Sequence, residues 1–229
     1  MLLALDTSTR MVGIALYDGV QVLSEFSWTS RDNHSVELAP AVVEMMVKAG
    51  VKPEHLTALA VAIGPGSFTG LRISLALAKG IAYVNHIPLI GIPSLDILAA
   101  AQPVHAETLA AVLRAGRGRL AVGWYRALGG EWQPDGKAET LTPLELNQRI
   151  HGPTQVCGEL NEDDQRLLRR KRINVILASP AQSIRRPAYL AELGWRRLMA
   201  GQIENPATLT PIYLHHGVPI PDGTPIPEA

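Results

Sequence analysis

The residues best placed to do chemistry lie in one loop, Gly64-Pro65-Gly66-Ser67-Phe68-Thr69-Gly70, between an apolar run and a segment rich in small residues. A strand, a glycine turn and a helix N-terminus are the parts of an anion site, because free N–H groups and the helix dipole point the same way. The spacing departs from each nucleotide template. A dinucleotide fingerprint needs G-x-G-x-x-G, and here the last glycine falls one residue late; Gly91-Ile92-Pro93, with no acid, ends the next strand. A phosphate loop needs Lys-Ser/Thr after its last glycine, where Leu71-Arg72 stands. A nucleophile elbow needs glycines two residues either side of the serine, and Ser67 has Pro65 and Thr69. A structural turn suits the same residues better: Gly64, Gly66 and Gly70 tolerate positive φ, and Ser67 or Thr69 can cap the helix. Gly70, Ser74, Ala76, Ala78 and Gly80 keep that helix slim enough for another to approach.

Three further groups have a chemical and a structural reading. Asp6-Thr7-Ser8 follows the first apolar run, where actin-like and sugar-kinase-like ATPases carry a phosphate and magnesium loop. Such loops use glycine for close backbone approach, and the first glycine here is Gly13, so the expectation is a turn with, at most, a vestigial phosphate contact. His34 has Leu38 where a helical metal pair would place its second histidine, and the adjacent His215 and His216 face different ways; no metal site is expected. His34 reads as an N-terminal turn residue or an interface contact. The basic run from Arg166 to Arg172 follows Asn161 and the acids Glu162, Asp163 and Asp164, which is how a helix complements its own dipole; a weak RNA contact is the alternative.

The elements that must position these residues follow from periodicity. Strands are expected at 2–5, 12–16 and 20–28, the last two joined by a tight Asp18-Gly19 hairpin. A helix over 35–49, a strand over 57–63, a helix over 69–85, a strand over 89–92 and a helix over 95–101 complete a first half. The second half opens with strands at 108–113 and 120–127. Thr142-Pro143-Leu144-Glu145 is a capping box with proline at the first helical position. Strands at 155–158 and 173–177 flank a helix from Asn161, and a last helix covers 187–200. Each half thus opens with hairpin strands and continues into alternating helix and strand, the pattern of a duplicated α/β unit. The expected division is 1–101, 102–216 and a Pro-rich tail at 217–229, expected to be disordered.

Across its 229 residues the chain carries 21 basic and 21 acidic side chains, so no global field attracts nucleic acid or an anionic membrane. A single cysteine, Cys157, excludes an internal disulfide framework and a cysteine-rich zinc site. With no basic-then-apolar leader and no apolar stretch of spanning length, a soluble cytoplasmic protein is expected.

The segments LLALDTSTRMVGIALYDG, NHSVELAPAVVEMM, AVAIGPGSFTGLRISLALAKGIAY, IPLIGIPSLDILA and LTPIYL resemble the TsaB (YeaZ) family, densely over 1–101 and diffusely beyond. The resemblance implies two actin/Hsp70-like (ASKHA) subdomains, each a mixed β-sheet with flanking helices. It implies a non-catalytic partner of the paralogous subunit TsaD, which carries the HxxxH metal motif and the nucleotide site for threonylcarbamoyl transfer to the adenosine 3′ of the tRNA anticodon. It further implies docking of the ATPase TsaE on the TsaB–TsaD pair, supply of threonylcarbamoyl-adenylate by TsaC, and a capacity for homodimerisation. No cofactor is then expected on this chain, ATP and magnesium entering only through partner subunits, and tRNA contact is indirect or weak. The implied partner surface is built from the helices 35–49 and 69–85. Its candidate residues are His34, Ser35, Leu38, Val42, Met45 and Met46 on the first, and Gly70, Arg72, Ile73, Ala76, Leu77 and Gly80 on the second. Leu113-Arg114-Ala115-Gly116 and Tyr213-Leu214-His215 depart from the family pattern in the second half. An autonomous actin-like ATPase or kinase using Asp6 and the Gly64–Gly70 loop is the alternative. A peptidase has neither a Ser-His-Asp order nor a metal pair behind it.

Overall fold

In a computed structural model of the chain the structure describes residues 1–31, 33–171 and 173–214. Strands β1 (Leu2–Asp6), β2 (Met11–Tyr17) and β3 (Val22–Thr29) form an antiparallel meander. Helix α1 (His34–Lys48), strand β4 (Ala58–Gly64), helix α2 (Phe68–Asn85), strand β5 (Leu89–Pro93) and helix α3 (Ser94–Ala100) follow. The sheet order is β3-β2-β1-β4-β5, with β1, β4 and β5 parallel.

The second half contains β6 (Thr108–Arg114), β7 (Leu120–Leu128), β8 (Glu131–Pro134), β9 (Glu139–Leu141), α4 (Pro143–Arg149), β10 (Thr154–Gly158), α5 (Glu162–Leu168), β11 (Val175–Leu177) and α6 (Pro187–Met199). Read from its β8 edge, its sheet runs β8-β7-β6-β10-β11, antiparallel for the first pairs and parallel for the last. That is the first sheet's pattern repeated, with β9 added as a second partner of β7. The duplication that hairpin-then-alternation implied is therefore present as topology, in two mixed sheets with flanking helices.

Packing crosses the division at residue 101. Helix α3 follows the first sheet in sequence, yet Leu95, Leu98 and Ala99 pack among Leu109, Ala111 and Leu113 of the second. Helix α6 follows the second sheet, yet Leu190 and Ala191 pack on Leu2, Ala4, Ala58 and Ala60 of the first. Small residues explain the second choice. The alanines of β1 and β4 leave a shallow face, and Gly194 comes so close that a Cβ there would lie 2.5 Å from the Ala60 Cβ. The opposite face, with Leu3, Leu5 and Val61, is covered by α1 and α2 through Leu38, Met45 and Leu75. Buried on both sides, β1 and β4 read as continuous apolar runs.

Local signals fared well where the physics is local. The capping boxes Thr142/Glu145 and Asn161/Asp164 are formed, each side chain accepting from the other's backbone N–H. The Asp18-Gly19 hairpin is wider than the tight turn expected. Asp18 Oδ1 accepts from the N–H groups of Val20 and Gln21, which keeps Val20 and Gln21 in the loop and starts β3 at Val22. Helix α5 ends at Leu168, so of the basic run Arg166 alone lies in its last turn, paired with Glu162 and Asp163. Arg172, the histidines 215 and 216, and the tail at 217–229 lie outside the described residues.

Candidate functional site

The two loops that competed as phosphate sites are bound to each other. Thr7 Oγ1 donates to the Gly70 carbonyl at 2.6 Å, and the Ser67 N–H donates to the Ser8 carbonyl at 2.6 Å. Ser8 Oγ lies 2.7 Å from Ser94 Oγ, which also accepts from the Gly64 N–H at 3.1 Å. A Cβ at Gly66 would lie 2.2 Å from the Ser8 carbonyl oxygen, and one at Gly70 would lie 2.1 Å from that of Thr7. Close approach thus requires glycine at both positions. Positive φ holds only at Gly64 (φ +107°), where the Ile212 carbonyl also crowds the missing Cβ. The expectation of positive φ at all three is corrected in this way. Pro65 is buried in the turn, and Ser67 rather than Thr69 caps α2, its Oγ accepting from the Gly70 N–H at 3.2 Å.

Asp6 is also engaged, and buried. Its Oδ1 accepts from the Ser8 N–H at 2.8 Å and its Oδ2 from Arg185 Nε at 2.7 Å. Arg185, 3 % exposed, donates further to Glu159 Oε1 at 3.1 Å, Thr9 Oγ1 at 3.0 Å and the Met11 carbonyl at 3.2 Å. Burial alone would lower the guanidinium's pKa; the facing Asp6 and Glu159 outweigh that and hold it above its ordinary value. Sequence reading missed both Arg185 and Glu159. Nothing in SIRRPAY separates Arg185 from Arg186, which lies on the surface against Glu25. Above this network a cleft of about 740 Å³ opens between the sheets, lined in part by Ser8, Thr9, Gly66 and Glu159.

The candidate partner residues divide by burial. His34, Leu38, Val42, Met45 and Met46 of α1 and Gly70 of α2 are inside the molecule and cannot meet a partner. His34 Nε2 donates to the Thr9 carbonyl at 3.0 Å, so the ring fastens the β1–β2 loop; Nε2 carries the proton because its acceptor is a carbonyl. Gly70 is filled by the Thr7 carbonyl as above. Ser35, Arg72, Ala76 and Gly80 are exposed, and Ile73 and Leu77 are partly so. Alongside them stand apolar side chains from Val43 at 62 % to Tyr83 at 79 % exposure, with Val36, Val47 and Val84 between. On α1 the spacing 36, 43, 47 and on α2 the spacing 73, 76, 80, 84 each draw one stripe along the outer side. Arg72 stacks 3.7 Å over the Phe68 ring and donates to the Tyr213 hydroxyl at 3.2 Å.

The family model for TsaD, tRNA N6-adenosine threonylcarbamoyltransferase, matches residues 21–150. The tRNA threonylcarbamoyladenosine biosynthesis protein TsaB of Bacillus subtilis is 32 % identical over 201 residues, covering 84 % of this chain and 86 % of that protein. The TsaB of Escherichia coli is 30 % identical over 161 residues, covering 69 % and 68 %. The chain belongs to the TsaB (YeaZ) family. The structure of YeaZ from Pseudomonas aeruginosa superposes with a TM-score of 0.75 at 26 % identity, over 93 % of this chain and 99 % of that one. The ethanolamine utilization protein EutJ of Carboxydothermus hydrogenoformans, at 16 % identity and a TM-score of 0.50 over 84 % and 89 %, shares the fold alone.

Among the described residues of this TsaB-family chain no group of three or more His, Cys, Asp or Glu is placed to hold a metal ion. No described helix is long and apolar enough to cross a membrane. Cys157 is fully buried, and burial pushes its thiol pKa up, so the reactive thiolate is suppressed at neutral pH.

Proposed function

We propose that this TsaB-family protein is a non-catalytic subunit of tRNA threonylcarbamoyladenosine synthesis that docks on a TsaD-like catalytic subunit through the outer faces of α1 and α2. The observation that carries the reading is an apolar stripe exposed on two helices of the same sheet face. Covering a valine or tyrosine there is worth about 1.5–3 kcal/mol each, enough for a few such residues to anchor a specific complex. Ala76 and Gly80 add little bulk, and nothing lies within 4 Å of where a Gly80 Cβ would be, so a partner helix could come close at that point. Two such helices from each subunit make a bundle about a pseudo-twofold axis. A homodimer would use the same stripe and compete with the heterodimer.

The internal engagement of Asp6 and the Gly64–Gly70 turn supports the non-catalytic part of the reading. Groups that would hold phosphate or its metal are already hydrogen-bonded within the chain. In the assembly a TsaE-like ATPase docks on the pair, ATP and magnesium enter through the partner subunits, and tRNA is held chiefly by them. Calorimetry with Mg-ATP on the isolated chain checks the alternative ATPase reading, which micromolar binding would restore.

The surface test is Ala76→Arg. Ala76 is exposed, so the arginine leaves the monomer folded but places a charge and a long side chain in the interface. Ala78 is unsuitable, because it is completely buried and a charge there would unfold the helix from its sheet. Loss of binding to the TsaD-like subunit with an unchanged melting temperature supports the reading; retained binding overturns it.

A further inference from the structure

Asp96, near the start of α3, lines two cavities, one of about 340 Å³ and one of about 320 Å³. Its Oδ1 accepts from the Tyr125 hydroxyl at 2.8 Å, and no described residue donates to Oδ2. The charge that acts on it is that of Arg197. That guanidinium donates to the Gly91 carbonyl at 2.8 Å and to Glu204 at 3.4 Å, so it is held elsewhere. Arg196, in the wall of the smaller cavity, pairs likewise with Glu131. Burial outweighs both the Tyr125 hydrogen bond and Arg197 and holds the carboxyl above its ordinary pKa, which marks an ion short of a counter-charge.

The larger cavity supplies the rest of a ligand site. Leu95 of α3, Trp124 and Tyr125 of β7, and Ile212 and Leu214 wall it, and its lining is mostly apolar. Its size is that of a small-molecule site. Two rings are anchored without a ligand: Trp124 Nε1 donates to Glu139 Oε1 at 2.8 Å, as the Tyr125 hydroxyl donates to Asp96. Aromatic surface also accepts a cation more readily than aliphatic surface does. Lys137 borders the cavity but is exposed, where water screens its charge.

We infer that the cavity between α3, β7 and the 212–214 segment binds a small organic amine, its ammonium group on Asp96 Oδ2 and its apolar body against Leu95, Ile212 and Leu214. A bare metal ion is poorly served there, because one carboxylate among apolar walls offers too few oxygen ligands. An acid would meet Asp96 as a like charge, and an alcohol would leave that charge unmatched. None of these walls belongs to the outer stripe of α1 and α2.

Isothermal titration of the full chain with 2-phenylethylamine, 2-phenylethanol and phenylacetate, in one buffer at neutral pH, tests this. The amine is expected to bind with a Kd below about 1 mM, and the alcohol and the acid at least about tenfold more weakly. Asp96→Asn keeps the side chain's shape and removes its charge. It is expected to weaken the amine about tenfold and to leave the alcohol unchanged. Ala138→Leu fills the larger cavity and not the smaller, and is expected to weaken the amine at least about tenfold. Three results overturn the inference: no amine binding up to about 10 mM, an alcohol or acid that binds as tightly as the amine, or undiminished amine binding by Asp96→Asn. Undiminished binding by Ala138→Leu at an unchanged melting temperature puts the ligand elsewhere and overturns it too. Should Ala138→Leu melt below the natural chain, Leu214→Trp in the same cavity replaces it and is judged by the same two outcomes. None of these readouts involves a partner, so the outcome is independent of the docking proposal.

Discussion

Gly66 and Gly70 meet carbonyl oxygens at distances no side chain tolerates, whereas Gly80 meets nothing. The three therefore respond to alanine with opposite signs. Gly66→Ala and Gly70→Ala are expected to destabilise the chain by roughly 2–3 kcal/mol, because backbone rather than a flexible side chain must yield. Gly80→Ala, exposed in a helix interior, is expected to stabilise it by about 1 kcal/mol. Urea denaturation of the three variants checks both signs. Asp96 offers a pH test. Its Oδ1 accepts from the Tyr125 hydroxyl at 2.8 Å, and burial raises its pKa against that hydrogen bond and the charge of Arg197. A raised native pKa means stability is fullest below the ordinary carboxylate value of about 3.9 and declines as pH rises through the native value. Asp96→Asn is therefore expected to melt above the natural chain at neutral pH, the difference shrinking as the pH is lowered toward 4. A gap independent of pH would contradict the assignment. Residue-level reading from sequence succeeded at Thr142 and Asn161, and narrowed the cap of α2 to Ser67 or Thr69, because a cap bonds a neighbour three residues away. It missed Arg185 because that side chain's partners lie more than a hundred residues back at Asp6, Thr9 and Met11, and no local pattern marks it.

At the scale of elements, the positions of α1 and α2 were legible and the faces they turn outward were not. A helix apolar over more than one side must cover two surfaces, but periodicity does not say which side the sheet takes. The sheet takes the longer side chains Leu38, Met45, Met46, Leu71 and Leu75, leaving Val36, Val43, Val47 and Val84 outside. Half of the candidate partner residues were therefore interior ones. The corrected stripe predicts that Val43→Glu and Ala76→Arg each weaken binding to the TsaD-like subunit at least about 100-fold while leaving urea stability within about 0.5 kcal/mol. Gly80→Ala should combine tighter folding with weaker binding, a pairing that mere loss of structure cannot produce. Strands β8 and β9 escaped detection because they are short and carry few apolar residues, β8 being largely exposed as well, with pairing to β7 rather than apolar alternation holding them.

Across the molecule, the duplicated strand order was readable because hairpins and crossovers leave distinct periodicities. The exchange of helices between sheets was not, because it depends on Ala4, Ala58, Ala60 and Gly194 meeting across the fold. That exchange and the Arg185 network tie the two sheets together and give the outer helices a fixed base. The account as a whole rests on the chain acting through a partner. The measurement that addresses this most directly is formation of threonylcarbamoyladenosine on tRNA by a reconstituted set containing TsaC-, TsaD- and TsaE-like proteins, with this chain natural, Ala76→Arg or omitted. The account predicts modification with the natural chain, and loss of both complex and modification with Ala76→Arg or on omission. Full modification by Ala76→Arg, or by the set without this chain, would contradict it.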